Sequence, residues 1–333
     1  MTSETAPRYE LADGWGRPPG RPAHLDVADV AVDARQRVLL LTRFPAAVLV
    51  YEPDGTLAAT WGGDVLSGRP HSITAGPGGL VYVVDELDHA VKVFRDGGQL
   101  DRVIGTRGVP SDTGVDWTRP SFKEIQQSIR LGAPPFNAPT ALAVGPDGEL
   151  YVSDGYGNAR IHQFSPAGEL VRSWGEPGTG PGQFRVPHSV FAVADGRVFV
   201  ADREGDRIQV FSPEGEYLAE WTDVQRPTAI TADERGRLYV TELAWLAGDY
   251  SWRSGDISAL RPARLTVFDD QGVILQRMAT QGEGCLRGNL AAPHGVAVDA
   301  DGSVYVAEVT HSFLGPHGHQ PADCHTIQKF IPA

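Results

Sequence analysis

Short apolar runs of five or six residues recur along most of the chain, separated by turns rich in glycine, proline and aspartate. The clearest instance is VPHSVFAVADGRVFVADREGDRIQVF, residues 186–211, which divides into three runs broken at Asp195-Gly196 and at residues 203–206. Val- and Phe-rich runs with Asp and Gly in the breaks predict consecutive antiparallel strands. The same phrase opens at Pro70 (PHSITAGPGGLVYVVDE), Pro139 (PTALAVGPDGELYVSDG), Pro227 (PTAITADERGRLYVTE) and Pro293 (PHGVAVDADGSVYVAE), and in weaker form at Val27, which makes six copies. A fourth run follows each of the first five copies, as in GELVRSWG at residues 168–175. Four strands per copy, at spacings of roughly forty residues, predict an all-β, six-bladed β-propeller. The last copy lacks its fourth run, and YELADGWG at residues 9–16 has that pattern. The N-terminal strand is therefore expected to close the last blade and cover its edge.

The repeat treats residues 1–333 as one propeller domain with three insertions, at residues 106–137, 244–262 and 310–325. The first carries a helical segment over residues 121–131, with Ser121 as its cap and Glu124 three residues on, as a capping box requires. It lies between a fourth strand and the next first strand, whereas the other two lie between second and third strands. Because strand direction alternates within a blade, both kinds of connection fall on one face. All three insertions are expected to rim one mouth of the channel, where loops on a rigid scaffold carry function.

Composition narrows the classes. A formal charge of −13 argues against nucleic acid and anionic membranes as partners. No apolar run approaches a membrane span, and MTSETAPRYELADG has neither the basic nor the apolar region of a secretory signal. Two cysteines, Cys285 and Cys324, in such a chain read as buried thiols in preference to a pair, and the expected compartment is the cytoplasm.

The candidate chemistry emerges when the copies are aligned. The residue after the position that opens each first strand is Ala28, His71, Thr140, His188, Thr228 and His294 in turn. Alternate blades of a six-fold ring are related by about 120°, so His71, His188 and His294 can converge on the axis. Three neutral imidazoles with one side open form the donor set of a catalytic zinc site. Local bonding of each imidazole is the plainer reading of any one histidine; the coincidence of three favours metal.

Second strands end on Thr42, Asp85, Asp154, Asp202, Glu242 and Glu308, acids read as repeat chemistry that bonds backbone between blades. The next residues are Arg43, Glu86, Gly155, Arg203, Leu243 and Val309. Two arginines at the mouth suit a ligand bearing a carboxylate, since a guanidinium binds both oxygens; Arg203 could equally pair with Asp202 or Glu204. Tyr156, in SDGYGNAR, is either an aromatic packed in a turn or a phenol beside the metal that serves as base.

The stretches VSDGYGNARIHQFSPAGEL and GPGQFRVPHSVFAVADGRVFVADREGDRIQVF resemble the peptidyl-α-hydroxyglycine α-amidating lyases. The match is specific over residues 152–211 and extends to Pro70-His71 and Pro293-His294. The resemblance implies a six-bladed propeller whose zinc is held by His71, His188 and His294. It implies Tyr156 as the base, Arg203 as a substrate contact beside the metal, and Arg43 as the first-blade arginine for carboxylate and phenol. The implied reaction cleaves an α-hydroxyglycine, a carbinolamide, into an amide and glyoxylate. Three departures stand out. Ala292 replaces the family's methionine before the third histidine and reshapes the wall. Gly295 replaces an acid that helps a structural calcium, which leaves calcium doubtful. Gly157 replaces a disulfide cysteine of the animal enzymes. The long insertions are expected to narrow the mouth and favour a small substrate over a peptide. His311, His317, His319 and His325 in the last insertion read as a polar loop in preference to a second metal site.

Two other functions compete: a different metal-dependent reaction on this scaffold, such as hydrolysis or lactone opening, and a non-catalytic interaction propeller. The histidine ring weighs against the second, and Tyr156 with Arg203 against the first.

Overall fold

The computed structural model describes residues 8–12, 14–15, 25–279, 284–315 and 324–333. Six four-stranded antiparallel sheets succeed one another around a channel. Their innermost strands are Asp26–Val32, Pro70–Ala75, Pro139–Val144, Pro187–Ala192, Pro227–Ala232 and Pro293–Val298, and these define blades 1 to 6. Tyr9–Leu11 is the outermost strand of blade 6, with Tyr9 opposite Pro332 and Leu11 opposite Phe330. The ring therefore closes through the N-terminal strand, as the run pattern requires.

The core lies between blades. Tyr151, Ile161, Phe184, Val200 and Phe211 pack between blades 3 and 4, and Val27, Leu40, Tyr305 and Ile327 between blades 6 and 1. Middle strands such as Val198–Asp202 are buried throughout because both faces meet a neighbouring blade. Outer strands such as Leu170–Trp174 face water along much of their length. Burying each large aliphatic or aromatic side chain contributes about 1.5–3 kcal/mol, so the seams between blades dominate stability.

The acids that end the second strands have a more local task than bonding between blades. Each accepts backbone N–H groups from the segment that enters its own blade: Asp85 from Ser67, Asp154 from Asn137, Asp202 from Arg185 and Val186, Glu242 from Gln225, and Glu308 from Ala291 and Ala292. The helix of the first insertion is shorter than the pattern predicts, Phe122–Ser128, and Ser121 caps it by accepting from Glu124 N.

The cysteine expectation is corrected. Cys285 and Cys324 form a disulfide, joining the segment that enters blade 6 to the insertion of the same blade, with 4.8 Å between their Cα atoms. Their separation of 39 residues in sequence hid this proximity. Disulfides persist in oxidising compartments, so the inference from reduced thiols to the cytoplasm loses its premise. No described helix is long and apolar enough to cross a membrane.

Candidate metal centre

Every innermost strand carries a β-bulge just after its opening residue, with register shifts at Val27/Asp29, Pro70/Ser72, Pro139/Ala141, Pro187/Ser189, Pro227/Ala229 and Pro293/Gly295. The skipped residue is in each case the ring position: Ala28, His71, Thr140, His188, Thr228 or His294. A bulge adds one residue and re-aims a side chain. Here it turns three imidazoles towards one another, with ring centroids 4.7–4.8 Å apart.

A belt of hydrogen bonds fixes them. His71 Nδ1 donates to Thr140 O at 2.6 Å, His188 Nδ1 to Thr228 O at 2.7 Å, and His294 Nδ1 to Ala28 O at 2.7 Å. The threonines pass the belt on, Thr140 Oγ1 donating to Pro187 O at 2.8 Å and Thr228 Oγ1 to Pro293 O at 3.0 Å. Ala28 has no hydroxyl, and Arg43 Nε closes the gap by donating to Pro70 O at 2.9 Å. Even blades thus supply the candidate ligands and odd blades the groups that orient them, the arrangement that metal-binding histidines use.

With Nδ1 committed as donor, each Nε2 presents a lone pair, and the three candidate ligand atoms lie within 4.8 Å of one another. Burial holds all three imidazoles neutral. It pushes His71 and His188 well below the usual histidine range, helped by the neighbouring imidazoles and arginines, and His294 down to about 3, helped by Arg43. The hydrogen-bond donor in their midst is Tyr156 Oη, 3.1 Å from both His71 Nε2 and His188 Nε2. One phenolic proton cannot satisfy this set of converging acceptors, whereas a divalent cation can. The donor set fits a metal.

Tyr156 is itself held from three sides. Arg203 Nη1 donates to its Oη at 3.1 Å, while Arg203 Nε donates to Glu204 Oε1 at 2.8 Å. The alternative pairing of Arg203 with Glu204 is thus real, and the same guanidinium serves both partners. Burial opposes the Arg203 charge, but Tyr156 and Glu204 outweigh it and raise its pKa. Gly155 and Gly157 let the tyrosine turn press against its surroundings, since a Cβ at Gly155 would lie 2.5 Å from Pro187 O and one at Gly157 2.2 Å from Asn137 Oδ1. Gly155→Ala is expected to destabilise the fold by about 1–3 kcal/mol, because the obstacle is backbone. It should also displace the phenol from His71 and His188; a thermal melt checks the loss of stability.

Arg43 is 3% exposed, and its Nη2 is buried without a partner. It belongs to the belt and acts on all three histidines through its charge, but it makes no hydrogen bond to Tyr156. Beneath the ring, the innermost strands line a channel cavity of about 260 Å³. Gly295 faces Asp29 of the neighbouring blade: a Cβ at Gly295 would lie 2.2 Å from Asp29 Oδ1. Asp29 accepts from Val30 N and Ile73 N, and burial pushes its carboxyl up to about 7 against those two bonds.

Residues 136–164 match the NHL repeat. The chain is 29% identical over 294 residues to peptidyl-glycine alpha-amidating monooxygenase B of Xenopus laevis, covering 85% of this chain and 30% of that protein. It is 28% identical over 296 residues to peptidyl-alpha-hydroxyglycine alpha-amidating lyase 1 of Drosophila melanogaster, covering 81% of this chain and 49% of that one. The chain is thus a propeller with one NHL-repeat match and with sequence similarity to amidating lyases. NHL repeat-containing protein 3 of Mus musculus is 29% identical over 309 residues, covering 86% of this chain and 72% of that protein. The chain spans under a third of the frog relative and about half of the fly one. A streptogramin B lyase structure superposes with a TM-score of 0.59 over 98% of this chain and 97% of that one at 14% identity, a likeness of fold.

The insertions supply groups that repeat alignment missed. Gln126, on the helix of the first insertion, donates to Tyr156 O at 2.8 Å, and the Phe122 ring lies 6.0 Å from the Tyr156 ring and 5.3 Å from the Arg203 guanidinium carbon. Lys123 Nζ sits 3.2 Å over the Tyr250 ring and so joins the first insertion to the second. Arg226 lies over both Trp245 and Phe313, reaching the second and third. The predicted helix cap located this helix, but nothing in its pattern said which side meets the phenol. Of the histidines in the last insertion, His311 packs against Phe44, His325 pairs with Glu308 at 2.7 Å, and His317 and His319 lie outside the described residues.

Proposed function

We propose that this protein is a zinc-dependent lyase that cleaves the C–N bond of a carboxylate-bearing α-hydroxyglycine to give an amide and glyoxylate. The observation that carries the reading is the position of Tyr156 Oη, at 3.1 Å from His71 Nε2, His188 Nε2 and Arg203 Nη1 alike. Base, ligand set and guanidinium then act on one substrate carbon.

His71, His188 and His294 would hold the ion through Nε2. A bound zinc ion supplies Lewis-acid polarisation of the substrate's hydroxyl oxygen. Tyr156, acting as the base, takes the hydroxyl proton, and Arg203, 3.1 Å from its oxygen, stabilises the negative charge that this oxygen must bear to accept it. The O–H electron pair becomes the second C–O bond of glyoxylate, while the C–N pair stays with nitrogen, which departs as the amide once protonated. Arg203 and the unpartnered Nη2 of Arg43 suit the substrate carboxylate. Buried side chains around the centre exclude water: His71, His188 and His294 are 1%, 1% and 5% exposed.

The test is release of glyoxylate and benzamide from α-hydroxyhippurate. Release should vanish on chelation and return with zinc. Stoichiometric metal without release would hand the lead to another metal-dependent reaction on this scaffold. Neither metal nor release would favour a non-catalytic propeller.

A further inference from the structure

Glu86 follows the second strand of blade 2, Val81–Asp85, at the repeat position that holds Arg43 in blade 1 and Arg203 in blade 4. A carboxylate beside the arginines suited to a substrate carboxylate has the wrong sign if it is ionised. Its setting resolves this. Glu86 is 8% exposed, its Oε1 lies 3.4 Å from Arg69 Nη2, and its Oε2 is buried without a hydrogen-bond partner. Buried carboxyl oxygens are seldom left unpaired, so Oε2 is an atom open to a water or a ligand. Burial raises the Glu86 carboxyl above the usual range against the pull of Arg69, Arg43 and Arg203, with Asp85 adding to the rise. Asp85 is itself paired with Lys92 at 2.7 Å. In its protonated form the carboxyl is a donor and does not repel the substrate.

We propose that Glu86 is the general acid of the reaction, passing the Oε2 proton to the substrate nitrogen as the C–N bond breaks. The inference rests on the lyase reading and supplies the proton that reading leaves unassigned. Tyr156 takes the hydroxyl proton, the O–H pair forms the carbonyl, the C–N pair stays on nitrogen, and nitrogen bonds the proton from Glu86. Glu86 is left as a carboxylate beside Arg69, Arg43 and Arg203, and water reprotonates it. Blade 2 stands between the blades of Arg43 and Tyr156. By blade order, Glu86 therefore stands between Arg43 and Tyr156 around the ring. An amide anion is a poor leaving group, so an acid matters most to the step that expels it.

Glu86→Gln keeps shape and polarity but has no acidic proton. Its kcat on α-hydroxyhippurate should fall roughly 100-fold, with KM and zinc content unchanged. The fall of wild-type kcat at high pH, as Glu86 loses its proton, should be absent from the variant. On N-trifluoroacetyl-α-hydroxyglycine, whose nitrogen leaves more readily, the variant should approach the wild-type rate. Equal slowing on both substrates, or none, overturns the role of Glu86 while wild-type release keeps the lyase reading standing. No release by the wild type from either substrate removes the lyase reading and this inference with it.

Discussion

His188→Ala is expected to leave a folded chain that holds no metal and releases no glyoxylate. The imidazole supplies one of three Nε2 donors, and a catalytic zinc site with three protein ligands has none to spare. Metal content should drop from about one ion per chain to under about a tenth, and turnover by roughly 10³-fold or more, equivalent to about 4 kcal/mol of lost transition-state stabilisation. The cost to the fold is smaller. Thr228 O loses the Nδ1 donor at 2.7 Å, while Thr228 Oγ1 keeps its bond to Pro293 O. One lost hydrogen bond costs about 1 kcal/mol, and the seams between blades are untouched. Metal analysis beside a thermal melt separates the two effects. If the variant keeps stoichiometric metal, His188 is not a ligand and the centre described here is wrong. If it loses metal and melts far below the wild type, the histidine holds the belt together more than it holds an ion.

The repeat was legible because the blade rule is local. Apolar runs, Asp-Gly turns and the Pro-His or Pro-Thr openings recur at fixed offsets, so aligning copies also aligned His71, His188 and His294. Closure by Tyr9–Leu11 was legible for the same reason, since one strand was missing at one end and present at the other. What aims the histidines was not legible. The bulge at Pro70/Ser72 and its counterparts leaves no mark in composition, and the Nδ1 bond from His71 crosses 69 residues to a carbonyl whose residue type is irrelevant. Arg43 was singled out as a substrate contact, yet its Nε bond to Pro70 O also replaces the hydroxyl that Ala28 lacks. The insertions follow no repeat, so Phe122 and Gln126 beside Tyr156, and the disulfide between Cys285 and Cys324, could not be placed by alignment. Fold and ligand set follow a period; the walls of the site do not.

Tyr156→Phe is the sharpest test of chemistry as distinct from binding. It removes Oη alone and leaves the ring where Phe122 packs at 6.0 Å and His71 at 5.1 Å. Glycines 155 and 157 and the bond from Gln126 to Tyr156 O fix the turn through backbone, which phenylalanine retains. The three histidines keep their Nδ1 partners, so metal content should equal that of the wild type. Arg203 loses one acceptor but keeps Glu204 at 2.8 Å and stays in place for the substrate carboxylate. KM should therefore move little, while kcat falls by roughly 10²–10⁴-fold, the range for loss of a positioned base. A merely packed aromatic would tolerate this exchange, because phenylalanine fills the same space. Full turnover in Tyr156→Phe with metal bound would therefore take the base away from Tyr156 and leave Arg203 facing a substrate whose proton goes elsewhere. Loss of turnover together with loss of metal would instead place the phenol oxygen among the groups that hold the ion.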